Sequence, residues 1–159
     1  VARVHALATA AGCQLVATCD LAVASESAGF AIPGGKGGLF CHTPLVAVAR
    51  SLTPKRALEM AMTGDVISAQ TALEWGFINE VVADDELEVA TLALIERACR
   101  GSRESKGLGK MAYYQQISMN ESDAYAFASA VMAEAVVSEV AQEGINAFLE
   151  KRPPDFGGR

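Results

Sequence analysis

The sequence predicts an α/β fold in which short strands and helices alternate first and helices alone follow. Two apolar runs of strand length, 1–5 and 20–25, flank an Ala-rich segment, 10–18, that is long enough for two helical turns. The later part of the chain keeps helical periodicity almost without interruption. These observations divide the chain into an αβ part, residues 1–99, and an all-helical part, residues 100–159.

The αβ part is expected to begin with a β-α-β unit formed by these three segments. Residues 30–32 predict another short strand. The stretch from Pro33 to Gly38 that follows is too rich in glycine for a regular element, so a loop is predicted there.

Helix signals dominate after the glycine-rich stretch. Thr53 and Ser68 are typical N-caps, and Gly64 and Gly76 are typical helix stops. The predicted elements are helices at 45–51, 54–62 and 69–75, followed by a strand at 77–82. Four more helical segments are predicted at 84–100, 110–117, 122–140 and 141–151, with Ser122 as the N-cap of the third.

Composition and charge exclude several classes of partner. With 51% hydrophobic and 20% charged residues, the chain can bury a core. The net charge of −6 offers no attractive field to nucleic acid or to an anionic membrane surface. The longest uncharged stretch, 4–19, is shorter than the roughly 20 residues of a membrane-spanning helix, so none is expected. The cysteines form neither a CxxC pair nor a zinc spacing, which predicts reduced thiols and no metal site.

The segment Ala10-Ala11-Gly12 joins a strand to a helix. Small residues there leave the backbone N–H groups of the first helical turn open to a ligand. Such donors suit a carbonyl oxygen that gains negative charge, as in an oxyanion hole. The alternative is that small residues only allow close packing of strand and helix, and spacing alone does not decide.

The glycine cluster from Gly34 to Gly38 lacks the order of a phosphate loop or a dinucleotide loop, and composition favours a flexible turn. After it, Cys41 and His42 could form a catalytic pair. Adjacent residues often point apart, however, and the pattern places no acid partner beside them.

Three motifs in order cover nearly the whole chain. The first is VHALATAAGCQL at 4–15 with CDLAVA at 19–24, the second is LEM with TGDVISAQ within 58–70, and the third is EGINAFLEKR at 143–152. They resemble the motifs G-x-A-x-G-G-G-x-E-L with C-D, LTG-x-x-I-S-A and E-G-x-x-A-F-x-E-K-R of the crotonase (enoyl-CoA hydratase/isomerase) superfamily.

The resemblance implies an α/β fold made of a crotonase-like ββα spiral followed by an all-helical oligomerisation tail. Residues 1–99 would be the C-terminal part of the spiral core, and residues 100–159 the helical oligomerisation region. The chain, which starts at Val1, would then be a truncated family member of somewhat more than half the usual length. The implied assembly is a homotrimer or a hexamer.

The resemblance also implies a site for an acyl-CoA or enoyl-CoA thioester, with no other cofactor and no metal. The N–H of Ala11 would complete the oxyanion hole, and Lys151 would reach a phosphate of coenzyme A, commonly the coenzyme A of a neighbouring subunit. The other substrate-binding positions would be Ala10, Gly12 and Pro33.

Two positions depart from the family pattern. Hydratases of the family carry glutamates where this sequence has Gln14 and Gly34, and neither residue here can exchange a proton near neutral pH. Standard hydratase activity is therefore expected to be weak or absent, and restoring it is expected to need both carboxylates together.

Two interpretations of these departures remain open. The protein is either an enzyme that uses another proton-transfer group, with Lys36, Cys41 and His42 as the candidates, or a non-catalytic acyl-CoA-binding or assembly protein. The strings AAGCQL and GLFC resemble a branch of the family that is mitochondrial in animals. We expect the mitochondrial matrix in a eukaryote and the cytoplasm otherwise.

Overall fold

The computed structural model describes residues 1–157. The chain divides into two compact units, Val1–Arg97 and a second unit that begins at Ala98. Most of the buried apolar side chains belong to the first unit, where the strands lie. The second unit contains helices in its described part.

The first unit contains two small sheets of three strands each. The strands are β1 (Ala2–Val4), β2 (Leu7–Thr9), β3 (Ala22–Ser25), β4 (Gly29–Ala31), β5 (Ile67–Ser68) and β6 (Glu80–Val82). One sheet has the order β1-β3-β6 and is parallel, with Val23 opposite both Arg3 and Glu80. The other has the order β2-β4-β5, in which β2 and β4 are parallel and β4 and β5 antiparallel.

Helices connect these strands. They are α1 (Ala11–Thr18), α2 (His42–Ser51), α3 (Pro54–Thr63) and α4 (Ala69–Glu74), and α5 (Leu87–Cys99) follows the last strand. Phe30 and Ile32 are fully buried at the centre of the core, and the Phe30 ring meets the edge of Phe77 with ring centroids 5.4 Å apart. An aromatic pair in this orientation adds to the stabilisation from burial alone.

Most local helix signals of the first unit are confirmed, although Thr53, at the N-cap position of α3, makes no side-chain capping hydrogen bond. Ser68 caps α4, because its hydroxyl oxygen accepts the N–H of Thr71 at 3.0 Å. The chain leaves α3 at Gly64 with φ +60°, a backbone conformation that glycine adopts without steric cost. Residues 33–38, predicted as a loop, instead begin with a 3-10 helix, Pro33–Gly37, because Pro33 fixes φ at its first position.

The predicted β-α-β unit lacked one strand. The strand expected at 1–5 ends at Val4, and Leu7–Thr9 forms β2 in the other sheet. The strand predicted at 77–82 is shorter, since only Glu80–Val82 pairs with β3.

The second unit contains α6 (Arg103–Gln116), α7 (Glu121–Val136) and α8 (Glu139–Glu150). The prediction that Ser122 caps α7 is wrong. The N-cap is Asn120, whose Oδ1 accepts the N–H of Asp123 at 3.0 Å. The break expected at 140 lies at Ser138, which caps α8 by accepting the N–H of Ala141. Between residues 1 and 157, no single helix is long and apolar enough to cross a membrane, and only the pair α7 and α8, bent by 75°, satisfies that test jointly.

Candidate functional site

The turn that enters α1 is strained. Ala10 has φ +48° and ψ −112°, a backbone conformation that residues with a side chain rarely adopt. Its N–H donates to the carbonyl of Ala31 at 2.9 Å, so strand β4 holds the turn in place. Strain of this kind persists only where the surrounding structure enforces it, and it is concentrated at functional sites.

The first turn of α1 presents free donors. The first hydrogen bond of the helix runs from the N–H of Gln14 to the carbonyl of Ala10, at 3.0 Å. The N–H groups of Ala11, Gly12 and Cys13 precede it, so they have no acceptor inside the helix. The first turn contains no acidic residue, and a Cβ added to Gly12 would meet nothing within 4 Å. This end of α1 therefore combines partial positive charge with open space, which suits an oxygen that gains negative charge.

Gln14 and Cys13 lie on the same helix but differ in exposure. Gln14 is partly exposed, and its amide can donate and accept hydrogen bonds without titrating. Cys13 is fully buried, and burial raises the pKa of its thiol to about 12. Cys13 therefore stays a neutral thiol at physiological pH.

Gly34 lies in the 3-10 turn, where the chain folds closely over it. Its N–H donates to the Cys41 sulphur at 3.2 Å, and its carbonyl accepts the N–H of Leu39 at 3.1 Å. A Cβ at position 34 would lie 2.2 Å from the Leu39 carbonyl oxygen and 2.7 Å from the Cys41 Sγ. No side chain fits at position 34 unless this loop is rebuilt. Pro33, just before it, is partly buried and packs closely against Gly64.

The three candidate proton-transfer groups have different surroundings. Lys36 is paired with Asp65, with Nζ and Oδ1 2.6 Å apart. His42 is exposed, and its ring lies edge-on to Phe40 with centroids 5.3 Å apart. Cys41 is 8% exposed and contacts Gly34, as described above. The structure thus brings Cys41 to Gly34 and directs Cys41 and His42 to different neighbours.

Lys151 lies in the second unit, at the end of α8. It has φ +55° and an exposed side chain. Arg152, which sequence reasoning did not single out, forms a bidentate ion pair with Glu143, and its Nη1 and Nη2 lie 2.6 and 2.9 Å from the two carboxylate oxygens. The side-chain hydrogen bond from Arg152 lowers the pKa of Glu143 to about 2, and that from Glu143 raises the pKa of Arg152. The opposite charges at the two ends of the motif EGINAFLEKR were the sequence feature that could have indicated this ion pair.

The described residues contain no group of three or more His, Cys, Asp and Glu side chains that could hold a metal ion. The cysteines are all free thiols, of which Cys13 and Cys41 are buried and Cys19 and Cys99 exposed.

The first unit combines two small sheets, helices and open N–H groups at α1, and comparison with known proteins identifies the class of protein to which the chain belongs. The sequence model of the enoyl-CoA hydratase/isomerase family matches residues 1–159, and the chain belongs to this family, which acts on CoA thioesters. The family and the crotonase-like fold class expected from the sequence are therefore confirmed.

Among individual proteins, the chain is similar to the mitochondrial enoyl-CoA hydratase domain-containing protein 3 of Danio rerio. The two are 48% identical over 154 residues, which cover 97% of this chain and 53% of that protein. The chain thus spans about half the length of the curated relatives it matches.

Two solved structures are similar to the chain. An enoyl-CoA hydratase of Mycobacterium smegmatis has a TM-score of 0.94 and 45% identity, covering 97% of this chain and 60% of that one. Human enoyl-CoA hydratase domain-containing protein 3 has a TM-score of 0.89 and 47% identity, covering 94% and 59%.

Proposed function

We propose that this protein binds an acyl-CoA or enoyl-CoA thioester and holds the thioester carbonyl oxygen at the start of α1. The N–H of Ala11 is an oxyanion donor, and Ala10, Gly12 and Pro33 line the substrate site. The observation that carries this proposal is the strained turn at Ala10, which β4 holds and which leaves the first N–H groups of α1 open. Membership of the family supports a CoA thioester as the ligand, with no other cofactor.

We infer further that hydration of enoyl-CoA by this protein is weak or absent. Hydration needs one group to activate water and one to protonate the α-carbon, and each contributes on the order of 10² to 10⁴ to the rate. Gln14 does not titrate, and Gly34 has no space for a side chain. A protein that keeps only the oxyanion donors retains a small fraction of the usual rate.

The alternative is a purely non-catalytic acyl-CoA-binding or assembly protein of the same fold. The surroundings of two of the three spare proton-transfer groups support it, because Lys36 is paired with Asp65 and His42 packs against Phe40. Cys41 is the group that contacts Gly34, so any remaining proton transfer would be expected to depend on it.

The proposed assembly is a homotrimer or hexamer built through the second unit. Large apolar side chains are exposed on its helices, and they include Met111, Ile117, Tyr125, Met132, Phe148 and Leu149. Exposed apolar area of this extent commonly marks a contact between subunits. The names of the relatives support a mitochondrial location if the source is a eukaryote, with the cytoplasm as the alternative.

The experiment that tests the function measures binding and hydration on the full-length protein. We expect butyryl-CoA to bind with micromolar affinity in calorimetry, while crotonyl-CoA is hydrated at least a hundredfold more slowly than by an ordinary hydratase assayed in parallel. A Cys41→Ala variant distinguishes a weak enzyme that depends on Cys41 from a non-catalytic binding protein, because it lowers the residual rate only if Cys41 transfers a proton. Hydration at the ordinary rate, or no thioester binding at all, would overturn the proposal.

A further inference from the structure

The two adjacent cations at the end of α8 are not equivalent. The Arg152 guanidinium donates to both oxygens of Glu143, from Nε to Glu150 at 2.5 Å, and from Nη1 to the carbonyl of Pro153 at 3.3 Å. Four of its hydrogen bonds are thus made inside the protein, and two of its partners are carboxylates. Within residues 1–157, no hydrogen bond or ion pair engages the side chain of Lys151, which is exposed. Lys151 is free to bind an anion, and Arg152 is not.

Glu143 also fixes the chain beyond α8. Its carboxylate accepts the N–H of Asp155 at 2.7 Å, twelve residues further along the chain. The ring of Phe156 comes within van der Waals distance of Gly144, the next residue of the helix. The segment after α8 therefore folds back along the helix, and Lys151 is the residue at which the chain turns, with φ +55°.

We infer that the ion pair of Arg152 with Glu143 is a positioning device for Lys151. It holds the left-handed turn at Lys151 and neutralises the neighbouring carboxylates, so that the ammonium group remains available for a phosphate of the CoA thioester. Arg152 is then a positioning residue that does not touch the phosphate. This inference rests on the proposed function, because it takes a CoA thioester as the ligand.

The charges near Lys151 explain why the pair is needed. Without the guanidinium, Glu143 and Glu150 would lose the cation that balances their charges, and Glu150 is the residue next to Lys151. They would attract the Lys151 ammonium and repel a phosphate. The left-handed backbone at Lys151 is also unfavourable for a residue with a side chain, so it would relax once its anchor is lost.

The test compares a CoA thioester with an analogue that lacks every phosphate. Calorimetry on the full-length protein gives the affinities for butyryl-CoA and for butyryl-pantetheine, and their ratio measures what the phosphorylated adenosine of coenzyme A contributes to binding. We expect Lys151→Ala to lower this ratio about tenfold, as for the loss of one hydrogen-bonded charged contact. Arg152→Ala should lower it by a similar factor, the double variant no further, and the affinity for butyryl-pantetheine should not change.

Two further variants keep the test decisive. Arg97→Ala removes an exposed guanidinium that is paired with Glu80 at 3.3 Å in the first unit, and it should leave the ratio unchanged. Arg152→Gln removes the guanidinium charge but keeps a side chain that can donate a hydrogen bond, and it should lower the ratio even if Arg152→Ala does not fold.

The possible outcomes separate this inference from the proposed function. If Lys151→Ala lowers the ratio and Arg152→Ala behaves like Arg97→Ala, the positioning role is wrong and the proposed function stands. If the losses of the two single variants multiply in the double variant, Arg152 binds phosphate itself and the inference is again wrong. If the wild-type protein binds neither ligand, the proposed function fails and the inference falls with it.

Discussion

At the scale of single residues, the site is shaped most strongly at Gly34. Its N–H donates to Cys41 and its carbonyl accepts a hydrogen bond from Leu39. The Leu39 carbonyl fills the space that a Cβ would need. From the sequence, Gln14→Glu with Gly34→Glu is expected to raise hydration, although the second change puts a bulky charged side chain where there was none. In the structure, the loop itself occupies that volume, so we expect the double change to disturb the loop and not to restore hydration.

A smaller substitution tests the packing at this position. Gly34→Ala should destabilise the protein by about 1–3 kcal/mol, as expected for overpacking against a backbone oxygen 2.2 Å away. Gly35→Ala is the matched control, since its Cβ would be 3.5 Å from Phe40, an ordinary contact. Denaturant unfolding of the full-length protein measures both, and equal stability of the two variants would contradict the described loop.

The buried thiol next to the oxyanion donors gives a chemical prediction. Burial raises the pKa of Cys13 to about 12, so it stays protonated and unreactive at pH 8, whereas Cys19 is exposed. We expect iodoacetamide to modify Cys19 in the folded protein and Cys13 only after unfolding, as read by peptide mass spectrometry. Modification of both cysteines at similar rates would show that α1 does not bury Cys13 in solution.

At the scale of elements, the sequence predicted helix ends correctly where the signal depends on only a few specific residues. Ser68 and Gly64 place their helix ends because a cap and a left-handed stop depend on few residues. The strand β2 was missed because three residues provide too little alternation to recognise. The break after α7 was expected at 140 and lies at Ser138, because Val136 and Val137 continue the apolar pattern to the actual break.

The cap of α7 provides a direct comparison of sequence and structure. Asn120 accepts the N–H of Asp123, so Asn120→Ala should cost about 1 kcal/mol of stability. Ser122, the cap expected from the sequence, lies inside the helix, and Ser122→Ala should change stability by less than about 0.5 kcal/mol. Thermal unfolding of the two variants checks this assignment, and the reverse order would favour the sequence-based cap.

The ion pair at the end of α8 should stabilise the protein less at acidic pH. The bond from Arg152 lowers the pKa of Glu143 from 4.5 to about 2, so the ion pair stabilises the folded state fully above pH 4.5. That contribution declines as the pH falls from 4.5 towards 2. Glu143→Gln should therefore flatten the pH dependence of the melting temperature in this range, by a modest amount because the pair is exposed. Identical pH profiles for the variant and the wild type would exclude the pair as a stabilising contact.

At the scale of the whole molecule, the sequence motifs predict the fold class and the family, because they extend across both units. The sequence predicts only those parts of the candidate site that are made of consecutive residues, as in the segment Ala10 to Gly12. The contact of Cys41 with Gly34 depends on how the loop folds, and the pair of Arg152 with Glu143 joins residues nine apart across a helix end. Neither contact follows from a spacing rule.

The most direct test of the central claim is the absorption spectrum of a bound conjugated thioester such as cinnamoyl-CoA. If N–H groups at the start of α1 hold the carbonyl oxygen, they draw charge towards it, and the absorption band shifts to longer wavelength on binding to the full-length protein. Ala11→Pro removes one donor at the first position of α1. Because Ala10 before it has ψ −112°, outside the region that a residue before proline prefers, the shift is compared in variant protein that binds cinnamoyl-CoA, where it should decrease. Glu121→Pro, at the first position of α7, is the control and should keep the shift. A bound thioester whose spectrum does not change, or a shift that Ala11→Pro leaves intact, would contradict the account.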